Sequence, residues 1–234
     1  YLSRAALQGD MAQVRERLAH FGLTIESKPR LGMRIQGSET AIRACLTQLL
    51  CQELLHNHPL QSLLPTLCPS KTLEVVGNHI HDQLGRHQLR LADESLQQLA
   101  IYCAVALLRQ AAGHELRQFA SDDITQTLAA VARDIYAELP TLTPPGEEEI
   151  ACLAIQIQAR LTADTPQLSP AMAAESEQLV EHLLTYIHQH YPYDLRADPQ
   201  LRADLQTHIG AMLLRVKYQI GSHNPLADHI KQYY

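Results

Sequence analysis

Histidine is the side chain with the most chemistry to offer in this sequence: the 234-residue chain carries thirteen. Three pairs, His56/His58, His79/His81 and His188/His190, are two residues apart. On a helix that spacing turns the imidazoles to different sides, so no pair chelates one ion as an i, i+4 pair does. There is no H-E-x-x-H, and no metal site is expected. The five cysteines, Cys45, Cys51, Cys68, Cys103 and Cys152, form no C-x-x-C and fall mostly within apolar helical patterns. They read as reduced thiols of a cytosolic protein, buried as small hydrophobes. Nucleophile elbow, P-loop and dinucleotide fingerprint are all missing. Neither an enzyme nor a cofactor is expected. More informative is the run Asp204–Arg215, where His208 lies in a helical pattern and Arg215 comes two turns on, along the same side.

The elements around these residues can be read from periodicity. Residues 3–20 suggest a short helix, a break at Gly9, and a second helix capped by Asp10 with Met11, Val14 and Leu18 on one face. Leu23–Lys28 alternates as a strand, Pro29–Gly32 has turn chemistry, and Met33–Ile35 alternates again. A helix and then a basic-tipped hairpin is the pattern of a winged helix. From Ser38 onward the period is helical, with helices expected near 39–57, 70–86, 93–112, 121–138, 147–162, 174–190, 198–220 and 224–233. Ser121 or Asp123 can cap the fourth, and Pro144-Pro145-Gly146 precedes the acidic first turn Glu147–Glu149 of the fifth, where negative charge suits the helix dipole. A weak repeat is also present: Leu99–Arg109 aligns without gaps to Leu205–Arg215 at an offset of 106 residues, and Leu89-Arg90 to Leu195-Arg196 at the same offset. That period is too long for a solenoid unit and suggests two copies of one helical domain.

Composition agrees with this outline. Hydrophobic residues make up 46% and charged residues 19%, as in a globular chain. With no Trp and two Phe, the core falls to Leu, Ile, Val and Ala, which favours helix. The net charge is −6, so any nucleic-acid contact must be local. Basic residues do concentrate early: Arg4, Arg15, Arg17, Lys28, Arg30, Arg34 and Arg43 outnumber Asp10, Glu16, Glu26 and Glu39. No apolar run approaches the ~18 residues of a membrane span. The chain starts without Met and stops inside a helical pattern, so a fragment of a longer protein is expected.

The run Asp204–Arg215, with Gly221-Ser222-His223-Asn224-Pro225-Leu226 after it, resembles the histidine-bearing helix of PTS regulation domains (PRDs) together with the Asn-Pro segment that succeeds it there. These domains are the sensing modules of sugar-operon activators and antiterminators of the BglG/LicR type. Leu99–Arg109 with Gly113 resembles the same helix in a first copy, and Pro145–Ile157 that copy's last helix. Residues 1–43 resemble the second winged helix of the larger DNA-binding members, from Ser3-Arg4 to Gly32-x-x-Ile35-x-Gly37-x-Glu39. The likeness spans nearly the whole chain through the order and spacing of individually loose motifs.

The resemblance implies regulation by phosphoryl transfer to histidine from phosphotransferase components. A neutral imidazole is nucleophilic near pH 7, so His208 is the expected acceptor, with Arg215 assisting the phosphoryl group or making an ordinary surface contact. A core or interface histidine is the plainer alternative for His208. Tyr102 and Gln156 occupy the corresponding positions of the first copy, which therefore reads as degenerate. The other expected histidine of the second copy would fall past Tyr234. Arg4, Arg15, Arg17, Lys28, Arg30 and Arg34 are the expected DNA contacts, a solvated face being the alternative.

The expected architecture is mainly α. Residues 1–38 form the C-terminal part of a winged helix with a hairpin wing, 39–163 a first PRD-type bundle, 164–174 a linker, and 175–234 a truncated second bundle. Operator DNA, the phosphocarrier, sugar-specific EII components and a second copy of the chain are the expected partners, in the cytoplasm. Surplus apolar residues in Leu46–Leu55 and Ile101–Leu108 motivate the dimer. An RNA-binding antiterminator with the same sensing domains, or a degenerate PRD used only for dimerisation, are the competing readings.

Overall fold

The structure, a computed structural model, describes residues 4–56, 70–119, 121–139, 144–161 and 168–221. Among them the regular secondary structure is helical apart from one hairpin and an isolated bridge between Leu91 and Leu161. The first helix, α1 (Arg4–Ala19), runs unbroken through Gly9, contrary to the expected break. A glycine inside a helix costs only about 1 kcal/mol, too little to stop one. Asp10 is therefore an interior residue and not a cap. Of the apolar face expected on α1, Leu18 is buried, while Met11 is half-buried and Val14 is exposed.

Strands β1 (Thr24–Lys28) and β2 (Gly32–Gln36) pair antiparallel, from Thr24 opposite Gln36 to Lys28 opposite Gly32. At the tip the Leu31 amide donates to the Lys28 carbonyl at 3.1 Å, with Pro29 and Arg30 between them. Proline first and a positive φ second, here 66° at Arg30, is the type II pattern that prefers glycine second. A side chain in that region costs roughly 1–2 kcal/mol, part of which glycine's freedom in the unfolded chain cancels. Arg30→Gly should therefore stabilise the chain by about 0.5–1 kcal/mol, seen as a higher midpoint in urea; a lower midpoint would contradict this account of the turn.

Ser38 caps α2 (Glu39–His56), its hydroxyl accepting from the Ala41 amide at 3.2 Å. This helix serves two cores. Ala41 and Cys45 close a small cluster with Leu18 and Leu23 beneath the hairpin. Further along, Cys51 packs with Ile101 and Val105, flanked by Leu46, Leu50 and Leu73. Of the apolar runs noted in Leu46–Leu55 and Ile101–Leu108, Leu46, Leu50, Cys51, Ile101 and Val105 are thus satisfied within the chain, while Leu49 and Leu108 stay exposed.

Four helices build the main core: α3 (Ser70–Arg86), α4 (Asp93–Ala111), α5 (Gln126–Glu138) and α6 (Glu147–Gln158). Ile80, Leu99, Tyr102, Leu128, Ile135 and Leu153 lie at its centre. The cap of α5 is Thr125, whose hydroxyl accepts from the Leu128 amide, so α5 begins at Gln126 and neither Ser121 nor Asp123 caps it. A buried ion network ties α2 to this core. Arg43, 1% exposed, donates to both oxygens of Glu149 at 2.6 and 2.8 Å and to the His114 carbonyl. Its Nε and the Arg109 guanidinium both hold Glu39.

The last two described helices, α7 (Pro170–His190) and α8 (Pro199–Lys217), pack against each other as α3 and α4 do. Ser169 and Asp198 cap them. Helix α7 starts at Pro170 rather than near 174, which makes the end of the expected linker helical. Helices α4 and α8 have identical length and begin and end at the 106-residue offset read from the sequence. The helix expected over 224–233 and Cys68 lie outside the described residues, whereas Cys45, Cys51, Cys103 and Cys152 are buried free thiols.

Candidate functional site

The repeat offset places Tyr102 and His208 at equivalent points of α4 and α8, yet the two differ in environment. His208 is exposed on α8. Tyr102 is 2% exposed and donates its hydroxyl to Cys152 Sγ at 3.0 Å. Burial foremost, with Cys152 and Tyr136 nearby, pushes its phenol well above the ordinary value despite Arg43. Tyr102 is therefore a neutral core residue with no available nucleophile.

Gln156, the other position singled out in the first copy, lines the same small cavity as Tyr102. Its side-chain oxygen accepts from Arg160 Nη1 at 2.6 Å, and its carbonyl accepts from the same nitrogen at 3.0 Å. The two positions expected to correspond to phosphorylation sites thus converge, with a buried arginine between α6 and the turn after it. Sequence reasoning missed Arg160. An arginine just past a helix end reads as an exposed cation complementing the dipole; its i, i+4 spacing from Gln156 was the one signal that could have found it.

Arg215 lies on α8 two turns beyond His208, and its Nη1 donates to the Ala159 carbonyl at 3.0 Å, at the end of α6. Partial burial lowers its pKa. In the first copy the equivalent residue, Arg109, is spent on Glu39. Beyond Arg215, Lys217 and Tyr218 both donate to Asp123 Oδ2 at 2.6 Å, while Ser169 donates to Oδ1 at 2.9 Å. Asp123 is 2% exposed. Burial alone would raise its pKa, but the bonds from Lys217, Tyr218 and Ser169 outweigh it and hold the carboxyl below its usual value. This single carboxylate joins the segment before α5 to both α7 and α8, a role the sequence did not disclose because Asp123 looked like a helix cap.

At the other end of the chain, Arg15, Arg17, Lys28, Arg30 and Arg34 are all exposed. Arg15 and Arg17 lie on α1, while Lys28 and Arg34 flank Glu26 on the hairpin at 3.2 and 3.3 Å. Arg30 occupies the hairpin tip beside Leu31, which is 83% exposed. Arg4 opens α1, its side chain lying outside the described residues. The helix and the hairpin each bring basic groups to the surface, the arrangement a winged helix uses on a phosphate backbone.

The two described histidine pairs, His79/His81 and His188/His190, do not converge. His79 contacts Glu138 at 3.1 Å and the Ile135 carbonyl, whereas His81 is exposed. His188 approaches Asp194, and His190 stacks on Tyr186. His58 and the His56 side chain lie outside the described residues. Among the described residues no group of His, Cys, Asp or Glu is placed to hold a metal ion, and no helix is long and apolar enough to cross a membrane.

Known proteins resemble both ends of the chain and its whole length. The PRD domain family matches residues 181–234, which include His208, and the Mga helix-turn-helix domain family matches residues 1–50, which include the basic helix and hairpin. The probable licABCH operon regulator of Bacillus subtilis (strain 168) is 20% identical over 242 residues, covering 100% of this chain and 38% of that protein. The transcriptional regulator ManR of the same organism is 26% identical over 251 residues, covering 100% of this chain and 37% of that protein. The chain thus spans less than two fifths of the length of these curated relatives. With a PRD domain at one end, an Mga helix-turn-helix domain at the other and two regulators aligned along its entire length, the chain is homologous to PRD-containing transcriptional regulators of the BglG/LicR type.

Proposed function

We propose that this chain is the DNA-contacting and sensing part of a sugar-operon transcription regulator, switched by phosphorylation of His208. The observation that carries the reading is the exposure of His208 on α8 within the PRD match, while its counterpart Tyr102 is buried. A phosphohistidine donor needs an acceptor that is nucleophilic when neutral. His208 meets that need, and neither the phenol of Tyr102 nor the amide of Gln156 does. The first bundle, expected over 39–163, then takes no phosphoryl group, and the second, expected over 175–234, carries the phosphorylation switch. Residues 164–174 divide them in this reading. Arg215 is near enough along α8 to assist the phosphoryl group if it leaves the Ala159 carbonyl.

DNA, rather than RNA, is the nucleic acid of this reading, because the N-terminal match is to a helix-turn-helix domain. Arg4, Arg15, Arg17, Lys28, Arg30 and Arg34 contact its backbone, and residues 1–38 supply the wing. The phosphocarrier and sugar-specific EII components deliver the phosphoryl group in the cytoplasm. A homodimer, with exposed Leu183, Tyr186 and Val216 on α7 and α8 free to pair, completes the proposal. No catalytic role is assigned.

The test is phosphorylation from labelled phosphoenolpyruvate through a purified phosphocarrier relay. The wild-type chain should take label on histidine, and His208→Ala should lose essentially all of it. Label that persists in the variant refutes the assignment. No label in either, with helical circular dichroism intact, favours the degenerate scaffold instead.

A further inference from the structure

Arg160 is buried, yet among the described residues no carboxylate forms an ion pair with it. Desolvation pulls its pKa down to about 10, so it remains a cation at neutral pH. Nearby Arg215 adds to that effect rather than relieving it. A buried charge without a counter-ion costs several kcal/mol by general estimates and is rarely left uncompensated. Arg160 Nη1 is occupied by Gln156, but Nε has no hydrogen-bond partner. Thr47 Oγ1, also buried, has none either.

These two groups line one cavity of about 70 Å3, with Gln48, Gln98, Tyr102 and Gln156 among its other walls. One buried water needs roughly 10–15 Å3 of such space, so the cavity accommodates an ion of several heavy atoms. The walls present a guanidinium, five amides and two hydroxyls, of which that of Tyr102 is already given to Cys152. Among the described residues no acidic side chain lines it, and Glu94, on the neighbouring turn of α4, is engaged by Gln98. Orphaned donors, an unpaired cation and room for a few atoms together describe a receptor for a small oxyanion.

We propose that the cavity bounded by Thr47, Gln98, Tyr102, Gln156 and Arg160 binds a small phosphate-like oxyanion without a covalent bond. The first copy then senses a free anion where a histidine-bearing copy takes a phosphoryl group. The ion bridges α2, α4 and α6 and stabilises the state in which those helices are packed. The proposal stands whether or not His208 is phosphorylated, since no atom of the site comes from that residue.

Titration calorimetry and thermal unfolding of the chain with inorganic phosphate, against sodium chloride at matched ionic strength, test it. Saturable binding and a melting temperature that rises with phosphate but not with chloride are expected. Arg160→Met should weaken binding at least ~100-fold and Thr47→Val ~10-fold, in line with a charge-assisted and a neutral hydrogen bond. Should Arg160→Met fail to fold, the Nε resonance of Arg160 in the wild-type chain decides: it should shift with phosphate and not with chloride. A hexose phosphate forms the second arm; tighter binding than inorganic phosphate would make a phosphorylated metabolite the source, and the reverse the free ion. A chloride response equal to that of phosphate, or phosphate binding unchanged in both variants, overturns the proposal.

Discussion

Replacing Arg43 with alanine should lower the unfolding free energy by about 3–5 kcal/mol, the usual range when one partner of a buried ion pair is removed. The change leaves the Glu149 carboxyl, 2% exposed, without the two bonds Arg43 supplies. Among the described residues Glu149 keeps only the Leu116 amide at 3.1 Å and the more distant Tyr136 hydroxyl. Because Arg43 lies on α2 and Glu149 on α6, the loss should also loosen the seating of α2 on the main core. Arg133→Ala is the control. Its pair with Glu147 joins α5 and α6, but both side chains are at least half exposed, and such pairs are worth about 0–1 kcal/mol. Urea unfolding of both variants gives the comparison; similar losses would mean that burial is not what makes the Arg43 pair matter.

Asp123→Ala should be the next most damaging change, by about 1–3 kcal/mol, because it leaves the buried Ser169 hydroxyl without its acceptor and Lys217 without its counter-ion, the Tyr218 hydroxyl keeping Ser121. The same carboxylate predicts a pH dependence. Its folded pKa lies below the ordinary value, so the unfolded chain binds the proton more readily. The stabilisation is fully present above the unfolded pKa of about 4 and is lost as pH falls through the lower, folded value. Wild-type stability should therefore decline below about pH 4, and Asp123→Ala should show a shallower decline over that window. Parallel profiles for the two proteins would remove Asp123 from the account.

Most helices were legible because their boundaries are local. Pro144-Pro145-Gly146 before three glutamates fixes the start of α6, and the Asp93/Glu94 pair marks the start of α4. The errors came where two residues compete for one role. Ser121 and Asp123 are both good caps, but Thr125 caps α5, freeing Asp123 for partners 94 and 95 residues away. Sequence spacing carries no trace of a contact at that separation. The Arg43–Glu149 pair is hidden for the same reason. At the candidate site, the repeat made Tyr102 visible as the counterpart of His208. The cavity around it was not visible, since its walls come from α2, α4, α6 and the turn after α8.

If His208 is phosphorylated as proposed, the fixture at Asp123 governs how that change would travel. Nine residues of α8 separate His208 from Lys217, about 13 Å along a helix rising 1.5 Å per residue. That exceeds the ~8 Å over which physiological salt screens exposed charge. A dianion created on the exposed His208 is therefore nearly invisible, as a charge, to the carboxylate at the far end. What crosses the distance is displacement. If phosphorylation tilts or shifts α8, a stiff rod delivers the motion to Lys217 and Tyr218 together, and the three-way joint at Asp123 either holds or parts. Signalling along α8 should accordingly be insensitive to ionic strength, even where delivery of the phosphoryl group is not.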